Sequence, residues 1–322
     1  MSAKNRFRLP NLKPHLHQIS RSFWRQADAR LFPDQALERR VRGKRVLITG
    51  ASTGIGEVLA HQLGKAGARL VLVARSAEKL ELLAGQIRHA GGLAVACPAD
   101  LSDLDDVDRL ARKVLDEQGP VDILINNAGR SIRRSALLEV DRFHDFQRTM
   151  QLNYFGAIRL TLALLPAMKA HGGGHVINVS TLGIQTSPAR FSAYLASKGA
   201  LESWTQSVAN EMGHHNVWFS LINLPLVRTP MIAPTDIYRR APAISPEQAA
   251  GRICRAIVTR QKRVLSVFGV AAQGIYLLMP RVAEGIVNAG YQLTPESSAA
   301  LGDAPEKKRA QVARLRPIRK RS

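Results

Sequence analysis

From Lys44 onward the chain alternates short, nearly unbroken apolar runs with longer segments of helical period, and this alternation constrains the fold most strongly. The runs are RVLITG, RLVLVAR, LAVACPAD, VDILINNAG, HVINVS and VWFSLIN. Between them stand EVLAHQLGKAG, SAEKLELLAGQIRHAG and DLDDVDRLARKVLDEQG. A strand that is apolar on both faces needs cover on both sides. The pattern therefore predicts an α/β fold, a Rossmann-like doubly wound parallel sheet of about seven strands with helices on both faces. The boundaries fall near Gly43 and Pro295. They leave a basic N-terminal extension (1–43), one α/β domain (44–295) with a loop excursion at about 225–245, and a basic, disordered tail (296–322).

The charge is unevenly spread. Net charge is +21; residues 1–45 carry twelve Lys/Arg against three Asp/Glu, and residues 306–322 carry eight against one. The basicity belongs to the two ends, and the body between them is close to neutral. Such ends suit an anionic surface or simple solvation, and peripheral membrane contact is expected of the first segment. No helix-turn-helix, zinc-ligand or RNA-binding aromatic pattern accompanies them, so no specific nucleic-acid partner is expected. Two cysteines, Cys97 and Cys254, exclude a disulfide framework and supply no metal-ligand spacing, so no metal is expected. The start of the chain lacks a signal-like apolar stretch, and the charge-free run Val264–Pro280 is too short to span a bilayer. That run reads as core or as an apolar surface element able to line or cap a substrate tunnel. The expected location is the cytoplasm, peripherally at the inner membrane surface.

The first apolar run feeds a glycine loop, Thr49-Gly50-Ala51-Ser52-Thr53-Gly54-Ile55-Gly56, which opens a helical segment. Gly50 permits a sharp turn out of the strand, Gly54 clears room for a pyrophosphate, and Gly56 lets helix and sheet pack closely. Ser52, Thr53 and Ile55 complete the loop, and the helix N-terminus offers N–H groups and a positive dipole end to phosphate. The second strand ends in Ala74-Arg75 rather than in a carboxylate, so Arg75 is expected to clasp a 2′-phosphate and favour NADP(H) over NAD(H).

These motifs resemble the short-chain dehydrogenase/reductase family, whose nucleotide loop reads TGxxxGxG. The family's other motifs follow in order over residues 44–235. Asp100, with Leu101 beside it, closes the third strand where the family bonds adenine. Asn127, Ala128 and Gly129 match the NNAG motif. Asn153 matches the residue that holds a water chain, and Ser180 and Tyr194-x-x-x-Lys198 match the reacting groups. Tyr194 and Lys198 lie four apart, on one helical face. The ammonium is expected to lower the tyrosine pKa toward neutrality, with Ser180 hydrogen-bonding the substrate carbonyl and Tyr194 passing the proton. Val227 and Thr229 keep family positions for the carboxamide, although Leu224-Pro225 stands where the family has Pro-Gly. The histidines at 171, 175, 214 and 215 read as structural, and Phe191 and Trp204 as packing.

Longer stretches, among them NYFGAIRLTLALLPAM, RFSAYLASKGALESW and INLPLVRTPMIAPT, resemble bacterial fatty acyl-CoA reductases of this family. That resemblance implies NADPH-dependent reduction of a long-chain acyl-CoA to the aldehyde. The alternatives are an NADP-dependent ketone, 3-oxoacyl or steroid-like carbonyl reductase or alcohol dehydrogenase, and a non-catalytic NADP-binding scaffold. The family resemblance also implies a homo-oligomer, dimer or tetramer.

Overall fold

The computed structural model describes residues 34–301 apart from 234, 236, 237, 239, 240 and 295. The basic ends 1–33 and 302–322, with the membrane contact and most of the tail expected of them, lie outside the described residues, as does part of the 225–245 loop.

Seven strands form one sheet in the order β3-β2-β1-β4-β5-β6-β7. They are β1 (Arg45–Thr49), β2 (Arg69–Ala74), β3 (Leu93–Pro98), β4 (Ile123–Asn126), β5 (Gly174–Thr181), β6 (Val217–Leu224) and β7 (Arg263–Val264). Every neighbouring pair is parallel. The strand order reverses between β1 and β4, and the carboxyl ends there open the crevice in which such sheets hold ligands. The apolar runs behave as expected: Val46, Leu47, Ile48, Leu72 and Leu124 are fully buried between the helical layers.

The principal helices are α1 (Asp34–Val41), α2 (Gly54–Lys65), α3 (Ala77–His89), α4 (Leu104–Gln118) and α5 (Phe143–Met150). They continue with α6 (Ala157–Ala170), α7 (Ser192–Met212), α8 (Pro246–Thr259), α9 (Val267–Leu278) and α10 (Pro280–Leu293). α4 shows how sequence makes such an element. The Asp103 carboxylate accepts from Asp105 N and Asp106 N at its start, and Val107, Leu110, Ala111 and Val114 form its buried stripe. These residues join Leu160, Leu164 and Met168 of α6 in one cluster against Leu47, Val71 and Val73 of the sheet. Elsewhere, Leu59 and Leu63 of α2 and Ile253 and Ile257 of α8 are fully buried. Each such side chain contributes about 2 kcal/mol by leaving water.

Packed structure runs past both boundaries drawn from the sequence. Before Gly43, α1 buries Val41 completely, and Arg40 Nε donates to Ile257 O at 3.3 Å. Past Pro295, Ala300 is buried and Glu296 accepts from Arg190 Nε at 2.7 Å. Composition hid both segments, because each docks through very few side chains.

The charge-free run becomes β7, a short turn and α9, and it is a surface element rather than core. Gly269 is the one buried residue of α9 and Ala283 that of α10, while Leu277 and Leu278 are 83% and 80% exposed. A Cβ at Gly269 would lie 2.3 Å from Gln185 and 2.4 Å from Leu182, so the helix leans on the body through a residue without a side chain. Among the described residues, no helix is long and apolar enough to cross a membrane.

Candidate active site

A cavity of about 600 Å³ lies at the carboxyl ends of β1, β4, β5 and β6. Twelve residues expected from the sequence line it: Gly50, Thr53, Gly54, Ile55, Asn127, Ala128, Gly129, Ser180, Tyr194, Lys198, Val227 and Thr229. Ser52, Gly56, Arg75, Asp100, Leu101 and Asn153 stand outside its lining.

The glycine loop has the backbone its residues imply. Gly50 and Gly54 adopt φ of +65° and +62°, a region costly for residues with a Cβ. A Cβ at Gly56 would sit 2.2 Å from Gly50 O, so only glycine lets α2 start this close to the turn. Thr53 caps α2 in extended conformation without a side-chain bond to the helix, and the helix terminus meets the cavity through Thr53, Gly54 and Ile55. A backbone cradle at a helix N-terminus fits a pyrophosphate.

β4 is laced to this loop. Thr49 Oγ1 accepts from Asn127 N and Ala128 N, both at 3.0 Å, and Asn127 Nδ2 donates to Thr49 O at 3.0 Å. Below, Asn126 Nδ2 donates to Asn178 Oδ1 at 2.8 Å, and Asn178 Nδ2 donates to Thr205 Oγ1 at 2.8 Å. This buried amide ladder escaped the sequence reading because its members are far apart in the chain.

Asn153 lies on a π-helical turn, Gln151–Gly156, between α5 and α6. Its Oδ1 accepts from Arg130 N at 2.7 Å, and its Nδ2 donates to Arg130 O and Ser197 Oγ at 2.8 and 2.9 Å. It therefore clamps the loop after β4 to α7. A Cβ at Gly129 would come 3.4 Å from Asn153 Oδ1 and 3.6 Å from Lys198 Nζ, so Asn153 stands just behind the wall that Gly129 and Lys198 help to form.

Lys198 is buried on α7, and its Nζ donates to Val179 O at 2.8 Å. Burial pulls its pKa down to about 8, opposed by the charge of Glu202. Burial pushes the Tyr194 phenol up to about 12, opposed by a hydrogen bond with Thr181. This direction reverses the lowered tyrosine pKa expected from the sequence. Desolvation of the phenolate dominates, and the ammonium spends a hydrogen bond on the strand carbonyl. Ser180 is 4% exposed, and its Oγ donates to Glu202 Oε1 at 2.5 Å.

At the far end of the crevice, Arg75 is exposed beyond the last residue of β2. Arg130 has its pKa lowered by burial first, then by the charges of Arg148 and Arg75, so Arg75 adds to a positive field here. Asp100 Oδ1 accepts from Ser102 N at 2.9 Å, which shapes the turn after β3. Leu101 is buried; a Cβ at Gly156 would lie 2.1 Å from its carbonyl oxygen.

After β6, Val227 forms a parallel bridge with Ile244. Ile244 N donates to Leu226 O at 2.9 Å and Arg228 N to Ile244 O at 3.0 Å. The bridge bonds thus belong to residues 226 and 228, and the Val227 N–H faces the opposite side. This pairing holds the loop without the family's glycine.

The other half of the cavity is apolar, with Leu182, Phe191, Leu195, Leu226, Met231 and Ile232 in its wall. Phe191, read from the sequence as packing, is thus a wall residue. Ser297 and Ala300 also contribute, brought there by Arg134 NH1 donating to Ala300 O at 2.5 Å and by Arg190 NH2 donating to Thr294 O at 2.7 Å. The run Arg133-Arg134 was the one available signal in the sequence.

The profile described as short chain dehydrogenase matches residues 44–237. The chain belongs to the short-chain dehydrogenase family. It is 48% identical over 263 residues to a fatty acyl-CoA reductase of Acinetobacter baylyi, covering 82% of this chain and 89% of that protein. It is 42% identical over 256 residues to a fatty acyl-CoA reductase of Mycobacterium tuberculosis, covering 79% and 87%. Among solved structures it resembles a metagenomic short-chain oxidoreductase in complex with NADP, with a TM-score of 0.61 and 32% identity, over 70% of this chain and 97% of that one. This short-chain dehydrogenase is thus an oxidoreductase of nicotinamide-cofactor type, and the seven-stranded parallel sheet is the family's fold.

Proposed function

We propose that this short-chain dehydrogenase uses NADPH to reduce a long-chain fatty acyl-CoA to the aldehyde. The observation that carries the reading is the similarity, over most of both chains, to two proteins named fatty acyl-CoA reductase. The cavity supports it, because Ser180, Tyr194 and Lys198 border a wall of large apolar side chains able to hold an acyl chain.

Gly50, Thr53, Gly54 and Ile55 would hold the pyrophosphate, with Ser52 and Gly56 shaping the loop. Arg75 would take the 2′-phosphate, Asp100 and Leu101 the adenine side, and Asn127, Ala128, Gly129, Val227 and Thr229 the nicotinamide end. When bound, the nicotinamide supplies a hydride for the carbonyl carbon. Tyr194 gives its proton to the carbonyl oxygen, and its raised pKa keeps that proton in place at neutral pH. Ser180 orients the oxygen. Lys198 stands ready to return a proton to Tyr194, and Asn153 holds the Arg130 loop and Ser197 in register with it. The resulting hemithioacetal collapses to aldehyde and free coenzyme A thiol.

Tyr194→Phe keeps the ring and removes the proton donor. It is expected to cut turnover by about 10³-fold while NADPH binding, read by fluorescence, stays unchanged. Activity within a few-fold of the parent enzyme contradicts the assigned mechanism.

A further inference from the structure

Glu202 stands two helical turns beyond Tyr194 on α7, is 3% exposed, and takes no part in the steps above. Its Oε1 accepts from Ser180 Oγ at 2.5 Å and from Asn223 Nδ2 at 2.6 Å. Its Oε2 pairs with Arg263 NH2, and Arg263 Nε donates to Asn223 Oδ1 at 3.2 Å. Asn223 Nδ2 also donates to Thr181 O at 3.1 Å, beside Ser180. The carboxylate is thus gripped by β6 and β7, and Ser180, whose hydroxyl it holds, reaches the cavity together with Thr181.

A buried carboxylate is stable only when paired and fully bonded. Arg263 and Asn223 meet that need, which leaves Glu202 a fixed acceptor behind Ser180. A serine hydroxyl has one proton and three staggered positions for its Oγ. With that proton directed to Glu202, the oxygen is held in one rotamer at the cavity, from which the hydroxyl turns its proton to a substrate oxygen when one arrives. A charge-assisted bond of this kind is roughly twice as strong as a neutral one, enough to select one rotamer.

We propose that Glu202, clamped by Arg263 and Asn223, is a positioning residue that holds Ser180 in its working rotamer for reduction. The inference rests on the reading of Ser180 as the group that orients the substrate oxygen. Its reach extends to β7, since Arg263 sits on the two-residue last strand.

The test measures NADPH oxidation with palmitoyl-CoA, or with a ketone if the thioester is not turned over, for Glu202→Gln and Glu202→Leu alone and combined with Ser180→Ala. Glu202→Gln keeps an oxygen acceptor without its charge and is expected to lower kcat about two- to fivefold; Glu202→Leu removes the acceptor and lowers kcat by at least about tenfold. KM for NADPH is expected to stay unchanged in both. On the Ser180→Ala background neither substitution lowers kcat further, because the effect travels through the serine. If Glu202→Leu does not fold, Glu202→Gln on the two backgrounds decides. Parent-like kcat in Glu202→Gln and Glu202→Leu overturns the proposal, as does an equal loss on both backgrounds, which marks a merely structural role. Full activity in Ser180→Ala alone overturns instead the reading of Ser180.

Discussion

Lys198 Nζ donates to the main-chain oxygen of Val179 at 2.8 Å, so the ammonium of α7 is anchored on β5 beside Ser180. The anchor holds the lysine within reach of the cavity while burial brings its pKa down to about 8. Tyr194, at about 12, keeps its proton through the same range. Lys198 is therefore the group that titrates near physiological pH. The kcat for reduction is expected to be level below pH 8 and to fall about tenfold per unit above it, as the lysine loses the proton it returns to Tyr194. A profile level up to pH 10 contradicts this assignment.

Arg75 stands exposed at the end of β2 and adds to the positive field felt by Arg130. A 2′-phosphate placed there meets the Arg75 guanidinium in a positive field, whereas a ribose hydroxyl gains little from it. Arg75→Ser is expected to raise the dissociation constant for NADPH by about 10- to 100-fold and to leave that for NADH within about twofold. Titration of both cofactors against both proteins checks it. An equal loss for the two cofactors places Arg75 outside phosphate recognition.

His175, on β5, is buried with its Nε2 2.8 Å from Ser220 Oγ, and burial, followed by Arg260 and Arg40, pulls its pKa down to about 3. The unfolded chain binds a proton at this position below about pH 6.5, while the folded chain stays neutral to about 3. Protonation thus favours unfolding: the penalty is nil above 6.5 and grows by on the order of 1 kcal/mol per pH unit between 6.5 and 3. His175→Asn is expected to flatten the fall of Tm between pH 7 and 4.5. An unchanged slope assigns the acid sensitivity to other groups.

The sheet and its glycine loop were legible because their causes are local. An unbroken apolar run needs two covered faces, and Gly50 and Gly54 occupy positive φ that the turn requires. Tyr194 and Lys198 were legible as a pair because four residues make one helical turn. What escaped depends on chain segments meeting from afar. Glu202 reads as an ordinary helix charge until β6 and β7 bring Asn223 and Arg263 to it. The role of Arg134 and Arg190 appears only when the segment after α10 folds onto them. The reversed direction of the Tyr194 pKa has the same origin. The Tyr-x-x-x-Lys spacing shows proximity, but the depth of burial that raises the pKa belongs to the tertiary structure.

The central claim is that the site reduces an acyl thioester. Purified protein is mixed with NADPH and palmitoyl-CoA, and NADPH loss, free thiol and aldehyde are followed together. The account predicts thiol and aldehyde in step with NADPH consumed, and all three slowed about 10³-fold with Tyr194→Phe. NADPH consumption with a ketone or 3-oxoacyl substrate, but no thiol from palmitoyl-CoA, contradicts it.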